Sequence, residues 1–404
     1  MEAAKRTAES HGRALPRIAR TGNMDRMLQR LFSLAALFFL AACAARPAEV
    51  RVGFDAGGVT SIQVRGSADR RTGRRVTADD PVRIASVSKL IVALGVMRLV
   101  EAGRLDLDRD VGEYLGWPVR NPAFPEKAVT LRLLLGHRSS LTDDADYIVP
   151  LGERLRDRLA DARAWDGEHP PGGFFRYANL NFPVVASVVE RVTGERFDRA
   201  MRRLVFEPLG VDGCFNWPTC SGSGVVRAVV LYRANGEVAN DDLQGRRPEC
   251  PVVAKGPCDL AAYRLGENGA LFSPQGGVRV SMRGLARIGA MLLRGGDGFL
   301  RPESIAELER VAWTFDGTNG DTAGGFYCRY GMATQIVATP VKDCADDPFG
   351  GERIGHAGEA YGVRSGLWLD RRRGRGVAFF ATAVKDGDRG RRSAYSRAEE
   401  RLGR

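Results

Sequence analysis

The chain has 404 residues, of which 44% are hydrophobic and 8% aromatic, with 60 Lys+Arg against 49 Asp+Glu. This balance is typical of a globular protein and excludes a wholly disordered, collagen-like or coiled-coil chain. The length fits one large two-lobed domain or two domains. The net charge of +11 and the seven cysteines raise nucleic-acid binding and metal binding as hypotheses, which the positions of those residues have to decide.

The first 43 residues have the pattern of an export signal. Residues 31–42 form an uncharged apolar run behind a basic stretch, too short for a membrane span, which needs about 20 apolar residues. Leu40-Ala41-Ala42-Cys43 then matches a bacterial lipobox, which predicts that Cys43 carries a lipid. The alternative is an ordinary signal peptide with a chance cysteine. Residues 1–23 are unpatterned, and Met24 or Met27 would give a more usual start.

The predicted location is the periplasmic side of the cell envelope, with a lipid anchor on Cys43 as the membrane contact. Ala44, rather than Asp, favours the outer membrane of a Gram-negative cell. Without the lipid, the expected location is periplasmic or secreted.

The positive charge is scattered rather than gathered into a binding surface. Residues 1–42 hold 7 Lys+Arg and 3 Asp+Glu, so the remaining chain has an excess of only +7. The densest clusters, Arg371–Arg375 and Arg389–Arg392, have no helix-turn-helix, zinc-finger or aromatic-interleaved pattern beside them. They predict solvated turns and no nucleic-acid partner. A weak attraction to anionic lipid headgroups is the alternative.

The six cysteines beyond Cys43 predict disulfides, because an exported chain folds in an oxidising compartment. Six cysteines allow 15 connectivities. The short spacings favour three pairs, Cys214–Cys220, Cys250–Cys258 and Cys328–Cys344. Neither Cys-x-x-Cys nor His-Glu-x-x-His occurs in the sequence, so we expect no metal site, and no motif indicates a cofactor.

Apolar patterning and turn residues predict a strand-rich frame around a helical middle. In chain order, the predicted elements are a hairpin in Val50–Val64, helices in Ser86–Leu99, Thr130–Leu135, Phe182–Val192 and Met282–Leu293, and strands in Val363–Leu369 and Val377–Val384. The helix in Ser86–Leu99 is apolar nearly all round, which indicates burial within a large domain. No Pro/Gly/Ser linker divides the chain, so residues 44–404 are expected to form one domain with a helical lobe at roughly 105–270.

The first chemical motif is Ser86-Val87-Ser88-Lys89. On a helix, residues i and i+3 share a face, which would bring Lys89 beneath Ser86. Burial among apolar neighbours at 90–92 disfavours a charged lysine, and a neutral amine can take the serine proton. A plain N-cap serine with a surface lysine is the alternative, and Ser88 is a rival nucleophile that has no lysine three residues on.

The second motif is Tyr177-Ala178-Asn179. A phenol near a cationic amine can have a lowered pKa and act as acid or base. The Asn179 carboxamide can hold both the lysine and a substrate amide. Alone, the tripeptide better fits a loop tyrosine with its hydroxyl in water.

The third motif is His356-Ala357-Gly358, on a strand-like run. Gly358 would allow close backbone approach, and His356 would add a donor or a charge beside the site. Alone, such a histidine is more often structural.

In this order and spacing, the three motifs resemble those of the serine β-lactamase and penicillin-binding-protein family, in its class C β-lactamase, DD-carboxypeptidase and esterase branch. The flanking segments that are similar to family landmarks are Leu99–Leu107, Leu131–Leu141, Val192–Gly194, Phe206–Gly210 and Ser273–Gly277. The resemblance runs from about Val50 to Val384. It implies an α/β (α+β) fold, with an antiparallel sheet flanked by helices beside a mostly helical lobe.

The resemblance also implies the role of each site residue. Ser86 would be the acylated nucleophile, with Lys89 and Tyr177 sharing the proton transfers. Asn179 would orient the substrate, and His356 stands where many relatives carry the lysine of Lys-Thr-Gly. The backbone N–H groups of Ser86 and of Glu359, the residue after Gly358, would form the oxyanion hole. His137 matches a family landmark that we expect to be structural.

The departure from Lys-Thr-Gly removes a permanent cation near the expected position of a β-lactam carboxylate. We therefore expect an exported serine hydrolase that acts through a covalent acyl-enzyme on a D-Ala-type peptide or a small ester or amide. The alternatives are a class C-like β-lactamase, a non-catalytic envelope protein that kept the fold, and a nucleic-acid or membrane-surface binder. The stretch Cys214–Cys258 is unlike the family and predicts a disulfide-stapled loop near the cleft.

Overall fold

An antiparallel sheet with helices packed on it dominates this computed structural model, which describes residues 46–239 and 246–404. The predicted export segment and Cys43 lie outside the described residues. The strands are β1 (Glu49–Asp55), β2 (Gly58–Arg65), β3 (Ser67–Asp69), β4 (Arg74–Arg75), β5 (Val82–Arg83), β6 (Gly213–Phe215), β7 (Val278–Val280), β8 (Trp313–Thr314), β9 (Arg329–Tyr330), β10 (Gln335–Val337), β11 (Arg353–Ala360), β12 (Val363–Asp370) and β13 (Arg375–Ala381).

The helices alternate with these strands and cluster in the middle of the chain. They are α1 (Ser88–Glu101), α2 (Val111–Leu115), α3 (Leu131–Leu135), α4 (Leu155–Leu159), α5 (Asn181–Thr193), α6 (Phe197–Met201), α7 (Gly222–Arg227), α8 (Met282–Leu293), α9 (Pro302–Glu309) and α10 (Arg397–Leu402). A 3-10 turn (Ala85–Val87) leads into α1. A π-helical turn (Arg202–Phe206) follows α6.

The eight strands of the main sheet run in the order β2-β1-β13-β12-β11-β10-β9-β8, with antiparallel neighbours throughout. β1 pairs with β13, so the first and last strands of the chain meet in the sheet. A small sheet, β5-β7-β6, joins the segment before α1 to the helical middle. The predicted fold class, an antiparallel sheet flanked by helices, is confirmed.

The two predicted hairpins occupy one half of this sheet. β1 and β2 turn at Ala56–Gly57, and β12 and β13 turn at the arginine-rich segment 371–374. Arg371 in that turn forms an ion pair with Glu309 and donates to the Leu292 carbonyl at 2.7 Å. At least one arginine of this cluster therefore makes stabilising contacts within the fold.

The helices follow the predicted patterns with small shifts at their ends. α8 has the predicted bounds, while α5 begins at Asn181, one residue early. The α5 helix ends at Gly194, whose φ of +71° is left-handed backbone that glycine adopts without strain. Side chains of α1, α5 and α8 join those of β1 and β12 in the main hydrophobic core.

The cysteines pair as the spacings favour. The structure joins Cys214 to Cys220, Cys250 to Cys258 and Cys328 to Cys344, with Cα–Cα distances of 4.9, 5.6 and 5.9 Å. Within residues 46–239 and 246–404, no three His, Cys, Asp or Glu side chains are grouped to hold a metal ion. No helix in that part of the chain is long and apolar enough to cross a membrane.

Candidate active site

A cavity of about 1330 Å³ brings the three motifs together. The motif residues that line it are Ser86, Tyr177, Asn179, Gly358 and Glu359. Its other walls come from the segments 147–149, 246–253, 323–327 and 387–399. The Cys250–Cys258 disulfide closes a loop on this wall, as the sequence predicts for the stapled segment.

Ser86 lies in the 3-10 turn before α1 rather than in the first turn of the α-helix itself. The preceding residue, Ala85, has a φ of +46°, a left-handed conformation that is unfavourable for a residue with a side chain. This bend aims Ser86 into the cavity. Ser88 points into the interior, is fully buried, and accepts a hydrogen bond from the Val278 N–H at 3.0 Å.

Lys89 is fully buried at the base of the cavity, one turn after Ser86. Its Nζ lies 3.1 Å from Ser86 Oγ, 2.8 Å from Asn179 Oδ1 and 2.9 Å from the Gln275 carbonyl oxygen. A neutral amine has two N–H groups and one lone pair. Because Asn179 Oδ1 and the Gln275 oxygen can only accept, they use both N–H groups and leave the lone pair for the Ser86 hydroxyl.

Burial lowers the pKa of Lys89 from 10.5 to about 7, against an opposing attraction from the Asp143 carboxylate. A lysine with this pKa is neutral in about half of the molecules at pH 7. The position of the Lys89 amine and its lowered pKa therefore both suit it to accept a proton from Ser86.

We expect kcat/KM for ester hydrolysis to rise with pH and to level off above about pH 7, because the neutral form of Lys89 is the one that accepts the proton. Below the midpoint the rate should fall about tenfold for each pH unit. A pH-rate profile on an uncharged ester measures this. A flat profile between about pH 5 and pH 9 would show that Lys89 does not titrate in the free enzyme.

Tyr177 is held between two rings. It stacks on His137 at 4.2 Å and on Tyr327 at 4.5 Å between ring centroids. Its hydroxyl faces Ser86 and Tyr327, but these contacts do not reach full hydrogen-bond geometry, so the oxygen has no hydrogen-bond partner within the described residues. An unpartnered buried hydroxyl at the cavity leaves room for a substrate atom.

The expected lowering of the Tyr177 pKa is wrong. Burial raises the pKa of this phenol above its usual value of 10, even though contacts with Ser86 and Tyr327 oppose the rise. Tyr177 is therefore a neutral phenol at pH 7, suited to donating a proton and not to acting as the initial base. The Lys89 amine, 4.8 Å from the Tyr177 ring centroid, is the better base.

Asn179 is fixed at both ends of its carboxamide. Its Oδ1 accepts from Lys89, and its Nδ2 donates to Asp143 Oδ2 at 2.9 Å. Asp143 is held in turn by the Leu180 N–H, which donates to Oδ1 at 3.0 Å. Asp143 is not among the residues predicted from the sequence, because no motif links it to Asn179 across 36 positions. Its place just after the landmark segment Leu131–Leu141 was the available signal.

Replacing Asp143 by alanine should lower kcat/KM about tenfold, because the Asn179 amide loses the contact that orients it. The midpoint of the pH-rate profile should also move to lower pH, since the carboxylate opposes the lowering of the Lys89 pKa. The exposed neighbour Asp144 supplies the matched control, Asp144→Ala. An unchanged midpoint in Asp143→Ala would limit Asp143 to a structural role.

His356 differs from the expectation of a charge beside the site. It is fully buried, with Nε2 2.8 Å from Tyr330 Oη and Nδ1 2.5 Å from the Ala357 carbonyl oxygen. Burial, with a further contribution from the Lys89 charge, lowers the pKa of His356 to about 3. His356 is therefore neutral at pH 7, its two ring nitrogens are engaged within the protein, and it supplies no cation.

Gly358 brings strand β11 against the turn that carries Ser86. A Cβ at this position would lie 2.4 Å from the Ile84 carbonyl oxygen and 3.2 Å from the Ser86 nitrogen, closer than any larger residue permits. The backbone of Glu359 follows directly along the cavity wall. This approach suits the predicted oxyanion hole, which needs two N–H groups beside one carbonyl oxygen.

His137 supports the site from behind. Its Nδ1 accepts from the Ala178 N–H at 3.1 Å and lies 3.0 Å from Asn181 Nδ2. Burial, with a further contribution from the Lys89 charge, holds the pKa of His137 well below its usual range. It is a neutral residue that positions the Tyr177–Asn179 segment, in line with the expected structural role.

A serine next to a buried lysine of lowered pKa, with a tyrosine and an asparagine around them, is an arrangement suited to a serine hydrolase. Residues 41–401 match the family described as "Beta-lactamase". The chain belongs to this family and is a serine hydrolase of the β-lactamase and penicillin-binding-protein type.

Two relatives are similar to this chain in sequence, and one solved structure is similar to it in fold. Esterase EstB of Burkholderia gladioli is 30% identical over 357 residues, 82% of this chain and 84% of that protein. Penicillin-binding protein 4 of Amycolatopsis lactamdurans is 34% identical over 155 residues, which cover 38% of this chain and only 40% of that protein. The D-amino acid amidase of Ochrobactrum anthropi SV3 shares the fold with a TM-score of 0.64 at 18% identity, over 90% of this chain and 92% of that one.

Proposed function

We propose that this hydrolase cleaves small uncharged esters or amides through a covalent acyl-enzyme on Ser86. The observation that carries the proposal is the position of the Lys89 amine, 3.1 Å from Ser86 Oγ, with its other two partners restricted to acceptors. This geometry supports Lys89 as the group that takes the serine proton.

In the proposed acylation step, Lys89 accepts the Ser86 proton while Oγ forms a bond to the substrate carbonyl carbon. The N–H groups of Ser86 and Glu359 stabilise the oxyanion. When the tetrahedral intermediate collapses, the bond to the leaving group breaks, and the Tyr177 phenol gives its proton to the departing oxygen or nitrogen. Tyr177 regains a proton from the Lys89 ammonium.

In the proposed deacylation step, a water takes the place of the leaving group. Its proton goes to the Lys89 and Tyr177 pair as its oxygen attacks the ester carbonyl. Ser86 regains its proton when the acid product leaves. The two steps together consume one water and release the acid and the alcohol or amine.

We favour uncharged substrates over D-Ala-type peptides and β-lactams, which carry a carboxylate, because the position of the Lys-Thr-Gly lysine holds no cation. His356 is neutral, so it supplies no cation for such a group. The Arg364 guanidinium on the cavity wall already pairs with Glu359 at 2.6 Å. The similarity to an esterase over most of the chain supports the same choice.

We further propose that the protein is exported and anchored by a lipid on Cys43 to the periplasmic face of the outer membrane. Three disulfides support folding in an oxidising compartment. Mass spectrometry of the mature N-terminus tests this proposal, and a free Cys43 thiol would refute the lipid.

A substrate panel tests the activity. It compares p-nitrophenyl esters and amides with a D-Ala-D-Ala peptide and the cephalosporin nitrocefin, each with a Ser86→Ala control. We expect Ser86-dependent turnover of the esters and much slower turnover of the two carboxylate-bearing substrates. Rapid nitrocefin hydrolysis that is lost in Ser86→Ala would favour a class C-like β-lactamase. Failure of Ser86 to react with a fluorophosphonate or penicillin probe would favour a non-catalytic binding protein.

A further inference from the structure

Glu359 and Arg364 form an ion pair on the cavity wall that the proposed reaction does not use. The two residues lie directly opposite each other on β11 and β12, so their side chains share one face of the sheet. Arg364 Nη2 lies 2.6 Å from Glu359 Oε1. The Arg364 side chain is 7% exposed, while the Glu359 side chain is 65% exposed. The guanidinium is therefore part of the wall, and the carboxylate is the solvent-exposed partner on the cavity side.

This pair lines the same cavity as Tyr177. Tyr177 stacks on Tyr327, and the adjacent Phe326 stacks on Tyr395 at 4.2 Å. Ser396 and Glu399 follow Tyr395 along the same wall, and the charges of Arg364 and Glu359 act on the Glu399 carboxyl. Since Tyr177 protonates the leaving group in the proposed reaction, the leaving group is taken to lie in this part of the cavity, within reach of Arg364.

We propose that the Glu359 carboxylate pairs with the Arg364 guanidinium where a substrate carboxylate would otherwise bind. The enzyme thereby selects uncharged leaving groups over carboxylate-bearing ones. An arginine binds a carboxylate strongly and in a defined geometry, so a buried guanidinium beside the leaving group would otherwise be a ready site for one. With Glu359 in that place, a substrate carboxylate that approaches Arg364 meets a like charge, because the guanidinium is already paired. Selectivity arises here from a repulsive contact built into the site.

The inference rests on the proposed function, because it concerns the leaving group of the same reaction. It adds a specificity-determining residue and a ligand class, carboxylate-bearing phenols and alcohols, that removal of the Glu359 charge would admit. The backbone N–H of Glu359 stays in place in a side-chain variant.

The test compares two esters that differ in one group, phenyl acetate and its meta-carboxyphenyl analogue. The quantity measured is the ratio of kcat/KM for the carboxylated ester to kcat/KM for the neutral ester. Glu359→Gln should raise this ratio about tenfold, because a charge-assisted hydrogen bond to Arg364 replaces a repulsion. Because both esters are measured on the same variant, this ratio stays informative even if Glu359→Gln changes both absolute rates.

Two further variants make the result specific. Glu352→Gln removes a similar exposed carboxylate, which pairs with Arg329 at 2.8 Å, and should leave the ratio unchanged. The double variant Glu359→Gln/Arg364→Gln should return the ratio to the wild-type value. A ratio that stays raised in the double variant, or does not move in Glu359→Gln, would overturn the inference.

A binding measurement separates this inference from the proposed function. Calorimetry with 3-hydroxybenzoate, the carboxylated leaving group, should show about tenfold tighter binding to Glu359→Gln than to the wild type. Equal binding to both would overturn the inference. Absence of Ser86-dependent turnover of phenyl acetate by the wild type would instead overturn the proposed function.

Discussion

Replacing Lys89 by alanine should lower the rate constant for acylation about 10³-fold or more, the largest loss expected from any proton-transfer group in the site. The Lys89 amine lies 3.1 Å from Ser86 Oγ, within hydrogen-bond distance of the hydroxyl that has to lose its proton. Without it, the serine must attack as an unassisted hydroxyl. Stopped-flow release of p-nitrophenol from a p-nitrophenyl ester measures the acylation step.

The control for this variant is Lys127→Ala, which removes an exposed lysine outside the cavity wall. Because Lys89→Ala also leaves the Asn179 and Gln275 oxygens without a donor, its thermal unfolding has to be compared with that of the wild type. Near wild-type acylation by a folded Lys89→Ala protein would show that the proton of Ser86 leaves by another route.

Replacing Tyr177 by phenylalanine should lower kcat about 10²-fold for esters and amides with poor leaving groups. The loss should be much smaller for p-nitrophenyl esters, because p-nitrophenolate departs without protonation. The reason is the raised pKa of Tyr177, which makes its phenol a proton donor at pH 7. Steady-state kinetics on an alkyl ester and a p-nitrophenyl ester of the same acid separates the two cases.

The phenylalanine ring keeps the stacking contacts with His137 and Tyr327, so the fold should be retained. Tyr114→Phe is the matched control, because the Tyr114 hydroxyl accepts from the Asp106 N–H at an exposed position. An equal loss on both esters would contradict leaving-group protonation by Tyr177. An unchanged kcat on the alkyl ester would show that Tyr177 takes no part in the proton transfers.

Short-range patterns in the sequence were enough to predict the frame of the site. Ser86 and Lys89 are three positions apart, and helical geometry alone brings such residues onto one face. The spacing of the apolar residues likewise predicts the observed bounds of α8. The antiparallel sheet and the roles of Tyr177 and Asn179 came from the family resemblance.

Features that depend on contacts distant in sequence could not be predicted. Asp143 reaches Asn179 through a loop whose path no local pattern specifies. The neutral state of His356 follows from complete burial beside Tyr330, which the strand pattern does not reveal. The phenol of Tyr177 shows the same limit, because proximity to a lysine suggested a lowered pKa, whereas burial raises it.

The 3-10 turn that carries Ser86 shows a second limit of prediction from the sequence. The sequence predicts a helix from Ser86, whereas the structure has a 3-10 turn there and begins α1 at Ser88. The positive φ of Ala85 is a strained conformation that propensity argues against, and the close packing of β11 at Gly358 accompanies it. Strain of this kind is found at functional sites, where tertiary contacts override local preference.

The acyl-enzyme on Ser86 is the central claim, and mass spectrometry of protein quenched with acid during ester turnover tests it most directly. We predict a mass increase equal to the acyl group, located by peptide mapping on Ser86 and absent from Ser86→Ala. Full turnover with no adduct at any time point, or an adduct on Ser88 in place of Ser86, would contradict the account.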